Sequence, residues 1–212
     1  MIQSTDNSKT IRTTGLPVYE GGSLYGLLAI SLLLYLLPDQ FKWQLYLHLD
    51  NGADFRYWQV FSAHFMHISW QHLIGNGICI VILQQVYGHC FKHFTWLYAL
   101  VSLSVFISLG LILTSVELSW YAGLSGIVIG LACYAALIDE HHTVIFNTVV
   151  LFALIAYSGF FFLQGEVSDG LGLIPVASFS HILGIVCGAF IGGVVGRKKR
   201  GNARSSMDDK GP

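Results

Sequence analysis

The sequence predicts an all-α membrane protein, a bundle of six transmembrane helices with an aromatic outer loop between helices 1 and 2. Three observations predict it: the apolar composition, the crowding of charges into short stretches, and the lengths of the gaps between those stretches. Of 212 residues, 54% are hydrophobic and 11% are charged. A soluble domain carries about 25% charged residues, so a soluble fold of this size would expose apolar surface it could not hide. Uncharged runs of 18, 35, 24, 21, 25 and 27 residues separate Glu20 from Asp39, Arg56 from Lys92, Lys92 from Glu117, Glu117 from Asp139, Glu140 from Glu166 and Asp169 from Arg197. A bilayer-crossing helix needs about 20 mainly apolar residues, so six runs give six candidate spans.

In chain order, a polar cytoplasmic tail (1–21) precedes a first span at 22–38, where Leu24 to Leu37 is almost purely apolar. It follows a polar tail and shows no small-residue cleavage site before Pro38-Asp39, so it is expected to be a retained helix rather than a signal peptide. The segment from Asp39 to Trp70 is too long for a tight connection and carries Phe41, Trp43, Tyr46, Phe55, Tyr57, Trp58, Phe61, Phe65 and Trp70. That composition suits the headgroup region, and a partly helical loop in the outer leaflet is expected. The remaining spans are expected at 71–89, 94–114, 120–138, 143–163 and 178–196, completing a membrane domain over 22–196. A basic, mobile cytoplasmic tail (197–212) closes the chain.

The positive-inside bias sets the orientation. With both termini in the cytoplasm, Lys9, Arg12, Lys92, Arg197, Lys198, Lys199, Arg200, Arg204 and Lys210 lie inside, nine of the eleven basic residues, and only Lys42 and Arg56 lie outside. A net charge of −1 excludes a nucleic-acid binder, which needs a basic face for the phosphates. Cys79, Cys90, Cys133 and Cys187 form neither a CxxC motif nor a disulfide framework.

Polar side chains are costly in hydrocarbon and each needs a reason. His72 and Asn76 stand at i and i+4, on one helix face, beyond His64 and His67; helix–helix polar glue is the plain explanation. Ser125 lies in Gly123-Leu124-Ser125-Gly126. A lone membrane serine usually bonds the carbonyl one turn back, but the flanking glycines permit close backbone approach and an exposed Oγ. His181 is followed by Gly184, Gly188, Gly192 and Gly196, a smooth strip matched on the fourth span by Ala122, Gly126 and Gly130. Strips of this kind let helices pack backbone to backbone, and if the two meet, Ser125 and His181 come to similar depth. His89, His93, His141 and His142 fall at the cytoplasmic boundary and read as ordinary interface residues.

A serine hydroxyl needs a base to accept its proton, and an imidazole can take it and return it to a leaving amine. The oxyanion formed in between needs preorganised donors, which the Ser125 N–H, His72 and Asn76 can supply. No acidic residue lies inside a span to complete a triad, so the constellation is a Ser–His dyad in a water-filled cavity opening outward. Nine histidines also raise a haem or metal reading. Without an HExxH motif or a carboxylate within the spans, no metal and no cofactor are expected.

In these motifs the chain resembles the rhomboid family of intramembrane serine proteases: His67 and His72-x-x-x-Asn76 on the second span, Gly123-Leu-Ser125-Gly126 on the fourth, and His181-x-x-Gly184-x-x-x-Gly188 on the sixth. The resemblance covers roughly residues 22–196. It implies Ser125 as nucleophile, His181 as general base, His72 and Asn76 as oxyanion-hole donors, and His67 as a structural residue anchoring the outer loop. The fifth span, with Phe160-Phe-Phe162, would be the mobile side gate. The run from Trp58 to Leu73 resembles the rhombosortase branch. That implies an endopeptidase of the bacterial inner membrane acting on membrane-anchored proteins with a C-terminal Gly-Gly-type sorting tail. A general rhomboid protease of type I-like substrates and a non-catalytic rhomboid-like binding protein are the alternatives. Two positions depart from the family: Gln59 follows Trp58 where many members carry arginine, and Ile129 stands where an aromatic residue or histidine often stacks on the base.

Overall fold

The computed structural model describes residues 23–49, 54–91, 96–114, 119–163 and 178–208. The N-terminal tail, His93 and residues 209–212 lie outside these. The elements are α1 (Tyr25–Tyr35), α2 (Asp39–Lys42), β1 (Leu47–His48), α3 (Gln59–Ser62), α4 (Trp70–Tyr87), α5 (Trp96–Leu113), β2 (Trp120–Tyr121), α6 (Ser125–Ile138), α7 (Val144–Leu163) and α8 (Ser178–Asp208), with 3-10 turns at Trp43–Leu45, Ala63–Phe65 and Gly88–Phe91. Among the described residues, four helical segments are long and apolar enough to cross a membrane: Trp70–Phe91, Trp96–Leu113, Val144–Leu163 and Ser178–Lys198. The apolar helices α1 and α6 are shorter, at 11 and 14 residues. The helix of the last run continues past 196 to Asp208.

Helix α6 is the hub. Eleven of its 14 residues are buried, and it contacts α4, α5, α7 and α8, with α8 its most extensive partner. A helix apolar all round is either a buried core helix or a lipid-facing one, and α6 and α7 are the two cases. Of the 20 residues of α7 only Asn147 and Ser158 are buried, and Val144, Phe152 and Leu163 stand 82%, 72% and 86% exposed.

The α6–α8 pair is close because of glycine. A Cβ on Gly184 would run into the Gly126 carbonyl, and one on Gly188 into the Gly130 carbonyl. In return, Cβ atoms on Gly126 and Gly130 would sit 2.9 Å from the carbonyl oxygens of Ser180 and Gly184. Gly192 continues the strip against Tyr134 and Leu137. The two backbones therefore touch over three turns, as a small-residue strip allows.

The fourth run was expected to be helical from residue 120, but its helix starts at Ser125. Trp120 and Tyr121 instead pair antiparallel with His48 and Leu47, and Leu49 N–H donates to Ser119 O at 2.9 Å. This short ribbon, invisible in the hydropathy pattern, ties the loop after α1 to the segment entering α6. Gln59 completes that loop. It is fully buried, its Oε1 accepts from Arg56 N–H at 3.0 Å, and its amide donates to Gln44 O and Asp54 O, both at 3.3 Å. The amide thus crosslinks the loop at the position where the family often carries arginine.

Candidate active site

Ser125 is the first residue of α6. The first N–H groups of a helix have no partner within it, so the Ser125 hydroxyl is carried beside free backbone donors with a positive helix end behind them. Gly123 makes the entry possible. Its φ is +149°, a conformation that suits glycine, and a Cβ there would stand 2.9 Å from Cε1 of His72. Both ends of its peptide are held, since its N–H donates to Ala63 O at 3.0 Å and its carbonyl accepts the Tyr121 hydroxyl at 2.8 Å.

His181 lies in the first turn of α8, one turn before Gly184. Its Nε2 is 2.9 Å from Ser125 Oγ, although the two residues are 56 positions apart in the chain. His181 is 1% exposed, whereas Ser125 is only partly buried. Nδ1 of His181 has no hydrogen-bond partner among the described residues. The imidazole instead meets the ring of Tyr157 from α7, stacked at a centroid distance of 5.9 Å.

His72 and Asn76 lie one turn apart on α4, whose N-terminus is capped by Ser69 Oγ accepting from His72 N–H at 3.2 Å. His72 packs over Gly123, two residues before Ser125. Asn76 is buried, with Nδ2 3.0 Å from Nε2 of His67. His67 Nδ1 lies 3.2 Å from Phe65 O. A carbonyl only accepts, so Nδ1 carries the proton and Nε2 accepts from Asn76. The second Asn76 N–H stays available. The His67 and His72 rings meet edge to face at 4.8 Å, so His67, His72 and Asn76 form one cluster, which the packing of His72 on Gly123 sets beside the Ser125–His181 pair.

His64 stands apart from this set. Completely buried, it directs Nε2 to Ser104 O at 3.1 Å and Ser108 Oγ at 3.0 Å, and Ser108 in turn donates to Val60 O at 3.0 Å. It bolts the loop between α1 and α4 onto α5.

The structure thus brings Ser125 to His181, and His72 to the Gly123 turn, with Asn76 linked through His67. Tyr157 is the residue the sequence reading missed: it stacks on the imidazole, while Ile129 one turn along α6 has no ring to offer. Its only signal was an aromatic at about the depth of His181 on the neighbouring span. Chemically, a partly accessible hydroxyl on a buried imidazole, beside free backbone N–H groups, is an arrangement for acyl transfer. Residues 54–198 match the model of the rhomboid domain. No curated protein matches the chain. With a match over about two-thirds of its length, the chain is an integral membrane protein and belongs to the rhomboid family of intramembrane serine proteases.

Proposed function

We propose that the protein is an intramembrane serine endopeptidase of the rhombosortase type, cutting membrane-anchored proteins beside a C-terminal Gly-Gly-type tail and transmembrane helix. Ser125 Oγ attacks the scissile carbonyl and its proton passes to Nε2 of His181. The resulting oxyanion is held by the Ser125 N–H, His72 and Asn76. His181 then protonates the leaving amine, and a water, deprotonated by the same imidazole, hydrolyses the acyl-enzyme to free a carboxylate. A glycine-rich segment suits such a site because it leaves helical geometry at little cost and can lie extended against Ser125. The observation that carries this reading is the 2.9 Å contact between Ser125 Oγ and His181 Nε2.

In this reading the membrane domain spans residues 22–196 with α1, α4, α5, α6, α7 and α8 as six transmembrane helices. Both termini face the cytoplasm of a bacterial inner membrane, the dyad opens to the outside, and the aromatic loop rests in the outer leaflet. Mass analysis of Gly-Gly-tailed membrane proteins, made with and without this chain, tests it. A new C-terminus beside the tail helix, seen only when the chain is present, is expected. Cleavage of type I-like substrates with the Gly-Gly tails left intact would select the general protease. Absence of cleavage together with no labelling of Ser125 by a fluorophosphonate would select the binding protein.

A further inference from the structure

At the end of α4 and α6 remote from Ser125, the turn after α4 and the α6–α7 connection meet at one carboxylate. Asp139 follows the last residue of α6, about 21 Å along that helix from Ser125 at 1.5 Å per residue. Its side chain is completely shielded from solvent. His89, from the 3-10 turn after α4, places Nε2 2.5 Å from Oδ1. His142, in the turn before α7, places Nδ1 3.0 Å from Oδ2. These three ligand atoms all lie within 4.8 Å of one another. His141 stands next to them, Nδ1 4.0 Å from Oδ1 on a side chain 61% exposed, its ring 4.1 Å from that of His89.

We propose that His89, Asp139 and His142, with His141 as the fourth donor, form a site for a borderline divalent transition metal such as Zn²⁺. Two imidazoles, a carboxylate and a third imidazole in reach are a donor set such ions favour. A tetrahedral ion with bonds of about 2.0–2.1 Å sets its ligand atoms roughly 3.3 Å apart. The observed separations bracket that spacing, so shifts of about 1 Å or less close the site. The outer shell is in place. Asn147 Nδ2 donates to Oδ2 at 2.9 Å and is itself held by the Tyr87 hydroxyl at 2.8 Å, while the backbone N–H groups of His141 and His142 donate to the carboxylate at 3.2 and 2.9 Å. Such partners fix ligand orientation. A charge moved out of water is normally paired or bound to a metal, and among the described residues Asp139 forms no salt bridge to Lys or Arg, only to histidines. This departs from the expectation of a chain without metal, because the pattern joins residues 50 positions apart. An ion there clips the ends of α4 and α6 to the start of α7.

The test is titration of the metal-stripped, tag-free chain in detergent with Co²⁺, which reports its coordination in visible d–d bands. One ion per chain with the strong bands of a four-coordinate site is expected, displaced by Zn²⁺. His89→Gln and His142→Gln should each weaken binding by roughly 10-fold or more, since even outer-shell losses reach that size. Binding by the wild-type chain no stronger than by the double variant overturns the proposal. Should the variants fail to fold, zinc-edge X-ray absorption of the wild-type chain decides: imidazole scattering is expected, and a shell of oxygens alone overturns the site.

Discussion

The ring of Tyr157 lies against the imidazole of His181, centroids 5.9 Å apart and planes inclined by 27°. An offset pair at this distance is worth about 0.5–1.5 kcal/mol. Nδ1 of His181 finds no acceptor among the described residues, so the ring is oriented by this face contact together with the Ser125 Oγ contact and its burial. Tyr157→Leu should therefore lower kcat about 2- to 12-fold, that energy expressed as a rate, and Tyr157→Phe should restore it. Steady-state kinetics in proteoliposomes on a transmembrane substrate checks this. A leucine variant with unchanged kcat would show that the stacking does not orient the base.

The dyad makes a sharper prediction. Ser125→Ala and His181→Ala should each abolish cleavage, and Ser125→Ala should leave thermal stability in detergent near that of the wild type, because Ser125 lies at a helix start and is only partly buried. The double variant should be no worse than either single one, since the two groups act as a unit. Cleavage at an unchanged rate by either variant would refute the assignment.

The glycine contacts separate backbone packing from chemistry. The first Cβ on Gly184 or Gly188 meets a carbonyl of α6, Gly126 or Gly130, and backbone cannot swing aside as a side chain does. Gly184→Ala and Gly188→Ala are therefore expected to destabilise the chain by roughly 1–3 kcal/mol, as overpacking does, and to lose Ser125 labelling in step. Gly193, on the same helix, has nothing within 4 Å of its virtual Cβ, and Gly193→Leu should be silent. Melting curves and fluorophosphonate labelling of the three variants provide the comparison.

Much of this arrangement was legible in the sequence, and the limits were physical. Charge-free runs located the helices because hydrocarbon excludes charge wherever a helix sits in the bundle. They carried no information on which helix is central. Helices α6 and α7 are equally apolar in pattern, and only the glycine spacing marked α6 and α8 as the pair whose backbones touch. The glycines also announced the approach of Ser125 to His181, because they act through a fixed four-residue repeat. The pairing of Leu47 with Tyr121 left no such trace, being two residues long and set by tertiary fit. The stacking of Tyr157 was hidden for the same reason: an exposed aromatic on a lipid-facing helix looks like every other aromatic there. In the charge pattern Asp139 only ends an uncharged run, whereas in the fold it is the point where two connections meet.

The His67–Asn76 hydrogen bond leads to a graded prediction. In the proposed mechanism Asn76 is an oxyanion donor, and Asn76→Ala should lower kcat by about 10²-fold. His67→Ala leaves that donor in place but unbraced, at a cost near one neutral hydrogen bond of about 1 kcal/mol, or roughly 5-fold in kcat. The double variant should resemble Asn76→Ala alone, since His67 acts through Asn76. Equal and additive losses in a double-mutant cycle would place His67 on a separate path.

The two histidines between α3 and α4, His64 and His67, give the protein a pH dependence whose sign follows from their burial. Burial pushes His64 down from 6.5 to about 4, and the hydrogen bond with Ser104 O offsets only part of it. Burial, and then the neighbouring His72, hold His67 down to about 4 as well. A base with a depressed folded pKa binds fewer protons folded than unfolded across the interval between the two values. Its contribution to stability is thus complete above about pH 6.5 and is lost as pH falls towards about 4. The melting temperature in detergent should be flat above neutrality and fall steadily through this window. His64→Gln, which keeps a donor for Ser108, should be less stable at pH 7.5 yet show a shallower fall, because one of the two protonation sites has gone. A wild-type melting temperature unchanged between pH 7 and pH 4.5 would mean that neither ring is kept neutral by the fold, and that the loop between α1 and α4 opens to water around them.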